Sequence, residues 1–179
     1  MANYVYIATS LDGFIATKDS GIDWLMETPN PEKSDYGYSD FMNGIDALVM
    51  GSNTFKKVLT FGEWHYDKIV FVLSNKLKAI PEKLKGKAEI INGNLIDIIN
   101  QLKERGYNNL YIDGGKVIQN FLKEDLIDEM IITRIPILLG EGIPLFSGLN
   151  HSLKFKHTKT EIFNNALVKS YYARIRENA

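Results

Sequence analysis

Two apolar runs that each break at glycine and lead into a helix-like stretch constrain this chain most: Val49-Met50-Gly51-Ser52-Asn53-Thr54 and Tyr111-Ile112-Asp113-Gly114-Gly115-Lys116. A strand that turns directly into a helix presents the helix's unpaired N–H groups and the positive end of its dipole at the strand end. Glycine there lets an anion approach the backbone closely. A pair of such turns suits the two phosphates of a dinucleotide. Taken singly, each reads first as an ordinary turn, because glycine at a strand end is more often just that.

Around these turns the pattern alternates. Apolar runs at Tyr4 to Thr9, Ala47 to Met50, Ile69 to Leu73, Glu89 to Ile91, Leu110 to Ile112 and Met130 to Leu139 are strand candidates. Helix-like stretches lie around Asp40 to Asn43, after Thr54, at Leu95 to Arg105 and at Lys116 to Lys123. In the third of these, Leu95, Ile98, Ile99 and Leu102 mark one face and Gly106 suits the C-terminal cap. Such alternation predicts an α/β fold, a mainly parallel central sheet with flanking helices. The end differs: Leu153 to Phe163 and Leu167 to Arg176 flank Asn164-Asn165, a pair that tolerates the positive φ of a tight turn, which predicts a C-terminal antiparallel hairpin. Glu27 to Tyr38, with Pro29 and Pro31, reads as a loop.

Composition narrows the chemistry. A length of 179 residues suits one domain over 1–179, and 45% apolar with 24% charged residues is ordinary for a globular protein. A net charge of −1 gives no footprint for nucleic acid. With no cysteine, thiolate metal sites, thiol catalysis and a cysteine-dependent zinc deaminase centre are excluded. His65, His151 and His157 are scattered without metal-ligand spacing, and no Gly-x-Ser-x-Gly elbow occurs. No metal site is expected. The amino terminus lacks a leader pattern and no apolar run reaches spanning length, so the expectation is a cytoplasmic protein with no membrane partner.

The opening Tyr6-Ile7-Ala8-Thr9-Ser10-Leu11-Asp12-Gly13-Phe14-Ile15-Ala16, followed by Asp23-Trp24-Leu25, resembles the first strand and active-site loop of the dihydrofolate reductase-like fold. The form is that of the reductase (C-terminal) domain of bacterial riboflavin-biosynthesis bifunctional deaminase-reductases. Further matches keep their order: Met50-Gly51-x-x-Thr54, Val72-Leu73-Ser74, Asp113-Gly114-Gly115, and Ile135 to Phe146.

The resemblance implies NADPH as cofactor. Ala8 and Ile15 would contact the nicotinamide, which orients its reactive carbon and excludes water. Gly51 to Thr54 would hold one phosphate, with Gly114 and Gly115 cradling the pyrophosphate. Asp12, Asp113 and Val117 complete the implied cofactor set. The family's diglycine bond is characteristically cis, so a cis Gly114–Gly115 peptide is expected. Ser52 stands where the family commonly has an arginine on the 2′-phosphate, which implies a reduced preference for NADPH over NADH. Ser74, Asn75 and Lys76 supply alternative donors at the next strand end. Val58-Leu59-Thr60-Phe61-Gly62-Glu63-Trp64 replaces the usual Asp-Asp-Pro-x-Leu segment, so the exact ribosylaminouracil substrate does not carry over with the fold.

Dihydrofolate-type enzymes grip the ring with a carboxylate from the helix before the Met50 strand. Asp40 and Asp35 are the candidates, with helix-start decoration as the other reading. Trp24 would close over the cofactor, or staple the loop as a buried ring. The implied function is hydride transfer from NADPH to a small heterocycle or ribosylaminouracil-like molecule. Dihydrofolate or pterin reduction and a non-catalytic dinucleotide-binding module are the alternatives. The resemblance also implies a homodimer.

Overall fold

The computed structural model describes residues 1–176. Strand β1 (Ala2–Thr9) is followed by a short β2 (Phe14–Ala16), helices α1 (Asp23–Met26) and α2 (Tyr38–Asn43), then β3 (Ala47–Gly51) and α3 (Ser52–Leu59). Next come β4 (Ile69–Leu73), β5 (Ala88–Ile91), α4 (Leu95–Glu104), β6 (Asn109–Asp113) and α5 (Gly115–Lys123). The chain continues through β7 (Glu129–Arg134), β8 (Ile143–Pro144), β9 (Phe155–Phe163) and β10 (Leu167–Arg174). Eight strands form one sheet in the order β5-β4-β3-β6-β1-β7-β10-β9. The pairings from β5 through β7 are parallel, and β10 runs antiparallel to both neighbours.

Both faces of the parallel half are covered, because successive strand residues point to opposite sides and both sets are apolar. Val49, Phe71, Leu110 and Ile112 pack with Ile98, Leu102, Ile118 and Phe121 of α4 and α5. Leu48, Met50, Val70, Val72 and Tyr111 face the other way onto Phe41, Phe55 and Val58 of α2 and α3. Burying these four strand side chains on one face contributes on the order of 6–12 kcal/mol before chain entropy is counted. A smaller cluster of Trp24, Ile135 and Leu167, with Ala8 and Phe163 beside it, sits beneath the loop after β2.

The parallel sheet and the terminal hairpin match the expectation from sequence, with Asn164 and Asn165 both at φ +52 in the turn. At α4, Gly106 (φ +91) follows the last turn, where its N–H reaches the Lys103 carbonyl and that of Tyr107 the Leu102 carbonyl. Two expectations are corrected. The apolar run from Met130 does not remain a strand to Leu139: β7 ends at Arg134, where Pro136 has no N–H for a ladder and the Ile137 N–H folds back onto the Ile135 carbonyl. No peptide among the described residues is cis, so Gly114–Gly115 is trans; the turn is made instead by Gly114 at φ +90. Sequence reading also passed over β2 and β8, which pair with each other through Phe14↔Pro144 and Ala16↔Ile143.

Candidate active site

The two glycine turns come together. β3 and β6 are adjacent and parallel, with Met50 level with Asp113, so both helices that follow start at neighbouring strand ends. In open α/β sheets that is where ligands bind. The turns touch: a Cβ on Gly114 would overlap the Thr54 Oγ1, and one on Gly51 would lie 3.1 Å from Val117 Cγ2. At Gly115 a Cβ would come within 2.6 Å of Ile15 Cδ1. Gly114 is required by its backbone conformation and its contact with Thr54; at Gly51 and Gly115 a side chain would press on Val117 and on the tip of Ile15.

Neither helix start is closed by the chain. α3 and α5 have no side-chain cap and no acidic residue in the first turn. α4 has both: Asn94 Oδ1 accepts from the Ile96 N–H and Asp97 lies in the first turn. The Ser52 to Thr54 and Gly115 to Val117 segments are therefore a cradle with open N–H groups and no acidic side chain in either first turn, with Asp113 just before the second, on the Gly114 N–H. Ser52 begins α3, and Ser74 follows the end of β4, whose Leu73 is level with Gly51. The Ser74 Oγ accepts from the Lys76 and Leu77 N–H groups, while Asn75 and Lys76 are exposed. Glycine space and open donors fit a dinucleotide diphosphate.

The other predicted residues have diverse places. Ile15 lies over Gly115 and Ala8 is partly buried beside the Trp24 cluster. Asp12 is exposed and ties two loops together, accepting from Ser10 Oγ (2.5 Å) and from the Leu139 and Gly140 N–H groups (3.2 and 2.7 Å). These hydrogen bonds, that from Ser10 foremost, hold its carboxyl below the usual range. Trp24 is 6% exposed and staples the loop. Asp35 is exposed and accepts from the Gly37 and Ser39 N–H groups, both 2.9 Å, so it organises the start of α2. Bonds from Ser39 and Gly37 lower its pKa. Asp40 is exposed on the first turn of α2. Neither of these two carboxylates is shielded from water.

The shielded carboxylate is Asp113. It ends β6 on the α2/α3 side, the side of Tyr111, and it accepts from the Gly114 N–H at 2.8 Å. Burial pushes its carboxyl up to about 6. Tyr38 of α2 and Tyr66, in the segment before β4, are near enough for its charge to act on their hydroxyls. Burial chiefly, and then that charge, raises Tyr38 to about 12 and Tyr66 higher still. Tyr38 is placed by the turn before it. The Tyr36 carbonyl accepts from Tyr6 Oη (2.9 Å) and from Lys169 Nζ (2.6 Å), and the turn passes through positive φ at Tyr36 (+54) and Gly37 (+81). The Lys169 side chain is 3% exposed and paired with Glu161 at 3.1 Å. Sequence reading placed Asp113 only in the cofactor set. Its tyrosine neighbours carry no spacing signal, since they come from separate segments.

An apolar cavity of about 320 Å³ lies elsewhere, on the α5 face, lined by Leu122, Met130, Ile132, Phe155 and Tyr172 with Arg134 as its charged residue. It lacks converging polar groups. Among the described residues no group of three histidine, aspartate or glutamate side chains is arranged to hold a metal ion, and no helix is long and apolar enough to cross a membrane.

The family model of the RibD C-terminal domain matches residues 4–169. The chain belongs to this family. It is 38% identical over 173 residues to YwjB of Bacillus subtilis (strain 168), a protein of uncharacterised function, covering 95% of this chain and 96% of that one. A solved structure from Shewanella sp. PV-4, of a protein assigned to riboflavin biosynthesis, is 52% identical, with a TM-score of 0.95 over 98% of this chain and 100% of that one. Dihydrofolate reductase from Enterococcus faecalis, solved with NADP(H), shares the fold at 15% identity and a TM-score of 0.67, covering 97% and 96% of the two chains. The RibD-type domain and the dihydrofolate reductase-like fold expected from sequence are both present.

Proposed function

We propose that the chain is an NADPH-dependent reductase that acts on a small nitrogen heterocycle or a ribosylaminouracil-like molecule. One observation carries this reading: two open helix starts meet at neighbouring strand ends, walled by glycines whose replacement would collide with Thr54 or Ile15. Gly51 to Thr54 and Gly114 to Val117 would hold the diphosphate. Ser52, Ser74, Asn75 and Lys76 would face the 2′-phosphate, and Ala8 and Ile15 the nicotinamide. Bound there, NADPH supplies a hydride.

The chain's own part is orientation, exclusion of water and a proton. Reduction of a C=N bond takes a hydride at carbon and a proton at nitrogen, leaving oxidised cofactor. With its carboxyl raised to about 6, Asp113 retains a protonated fraction near neutral pH and recovers its proton from solvent. In this reading Asp113 is the proton donor, whereas Asp40 and Asp35 were the sequence candidates for the carboxylate that grips the ring. We read 1–179 as a single, cytoplasmic domain. A second copy of the chain would cover the α5-side face, where Phe146 and Leu149 are 48% and 40% exposed beside the apolar cavity.

Fluorescence titration with NADPH, followed by steady-state NADPH oxidation against dihydropterins, ribosylaminouracil phosphate and flavins, tests the reading. Binding with turnover of one class is expected. Absence of NADPH binding would overturn it, and binding without any turnover would leave a dinucleotide-binding module.

A further inference from the structure

We propose that Lys169 is a positioning residue for the nicotinamide end of the site: its buried ammonium holds the turn into α2 against the strand that carries Ala8. This rests on the reductase reading, which puts Ala8 on the nicotinamide, and adds to it a residue remote from the glycine turns.

Strand register places Lys169. Ala8 of β1 is level with Thr133 of β7, Thr133 with Lys169 of β10, and Lys169 with Glu161 of β9. Level residues on neighbouring strands point to the same face, so the four form one row, with Lys169 about 10 Å from Ala8 at two strand spacings. The Lys169 ammonium donates to the Tyr36 carbonyl at 2.6 Å and pairs with Glu161 at 3.1 Å, with the Phe163 and Tyr171 rings 4.9 and 5.4 Å away. Gly37 leaves room for it, since a Cβ there would stand 3.2 Å from Nζ.

An apolar side chain of similar length would fill this space without the desolvation that a buried ammonium costs, so stability alone is a poor reason for a lysine here. What the ammonium does that an apolar chain cannot is hold a carbonyl. The Tyr36 carbonyl belongs to a turn with two successive left-handed residues, Tyr36 at φ +54 and Gly37 at φ +81, and Tyr36 is the one that resists that conformation. Lys169 from β10 and the Tyr6 hydroxyl from β1, the latter at 2.9 Å, grip that carbonyl together. Tyr6 precedes Ala8 by two residues on the same face of β1, and the Tyr36 and Ala8 side chains both pack on the cluster of Trp24, Ile135 and Leu167. The turn is thus a wall of the compartment that holds Ala8, and a charge on the C-terminal hairpin sets its place.

The test compares two ligands of the full-length protein by calorimetry: NADPH, and 2′-phospho-ADP-ribose, which is the cofactor without its nicotinamide. Lys169→Met removes the charge, and Gly37→Ala disturbs the same turn while keeping the lysine. Each should weaken NADPH roughly 3- to 10-fold and leave 2′-phospho-ADP-ribose within about twofold, because the diphosphate cradle is built from other elements. Lys169→Arg, which keeps the charge and the donors, should recover part of the loss. A merely structural lysine predicts that the two variants change both ligands alike or change neither, and either result would overturn the proposal. Wild type that binds neither ligand would instead overturn the reductase reading, and the proposal with it.

Discussion

The helix starts at the two sides of the parallel sheet are built differently. At its edge, α4 closes its own N-terminus with Asn94 and carries Asp97 in the first turn. At its centre, α3 and α5 do neither: α3 follows β3 with no residue between and α5 follows β6 across Gly114 alone, whereas three residues lead from β5 to α4. A chain selected only for stability would cap all three, since a cap is worth about 1 kcal/mol and a first-turn acid a few tenths more. Two adjacent uncapped starts, pressed together through Gly51, Thr54 and Gly114, are what an anion supplied from outside would stabilise, in keeping with the function proposed above.

The largest expected effect tests the close contact. Gly114→Ala combines an unfavourable φ of +90 with collision against Thr54, and should cost roughly 2–4 kcal/mol between folding and NADPH binding. Thermal melts and NADPH titration read both parts, and an unchanged variant would break the account of why the turns are glycine. Ser52→Arg should next restore the missing charge-assisted contact, tightening NADPH relative to NADH by roughly 1.5–3 kcal/mol. Equal gains for both cofactors would place the 2′-phosphate elsewhere.

Asp113 adds a cost of function that α4 does not bear. Because its folded pKa of about 6 lies above the ordinary carboxylate value of 3.8, the folded chain holds that proton more tightly than the unfolded one. Its burial is without penalty below about pH 4, becomes increasingly destabilising as pH rises from there to about 6, and carries its full cost above that. Asp113→Asn should therefore stabilise the protein by about 1–3 kcal/mol at pH 7.5, and the gain should vanish near pH 4. Denaturant unfolding at the two pH values measures it; a loss of stability at pH 7.5 would contradict the environment described.

The smallest effects exchange the character of the two kinds of helix start. Asn94→Ala should cost about 1 kcal/mol of stability and leave NADPH affinity alone. Asn53→Asp gives α3 a first-turn acid, and should stabilise by about 0.3–1 kcal/mol while weakening NADPH. If both substitutions affected NADPH binding alike, the distinction between edge and centre would fail.

Much of this was legible in the sequence where a local rule decides the outcome. The strand-to-helix turns at Gly51 and Gly114, the Asn164-Asn165 hairpin and the Gly106 cap each follow from backbone preferences of the residues themselves. The run from Met130 to Leu139 misled because apolar periodicity does not register the missing N–H of Pro136, which ends β7 early. The cis diglycine expected from the resemblance is not present; a single φ of +90 at Gly114 makes the turn. For the carboxylate expected to grip the ring, α2 spans only Tyr38–Asn43, so Asp35 precedes it and helix phasing has nothing with which to choose between Asp35 and Asp40. The raised pKa of Asp113 comes from burial, and the reach of its charge to Tyr38 and Tyr66 from topology, and neither is a property of spacing along the chain. The Lys169 contact that fixes the Tyr36 turn spans 133 residues and was equally invisible.

Amide chemical shifts followed by two-dimensional NMR during an NADPH titration test the central claim most directly. The account predicts that the Ser52, Asn53 and Thr54 amides and those of Gly115, Lys116 and Val117 shift together with one dissociation constant, while those of Leu95, Ile96 and Asp97 stay fixed. Shifts concentrated at the start of α4, or a saturable change that leaves both glycine turns untouched, would contradict it.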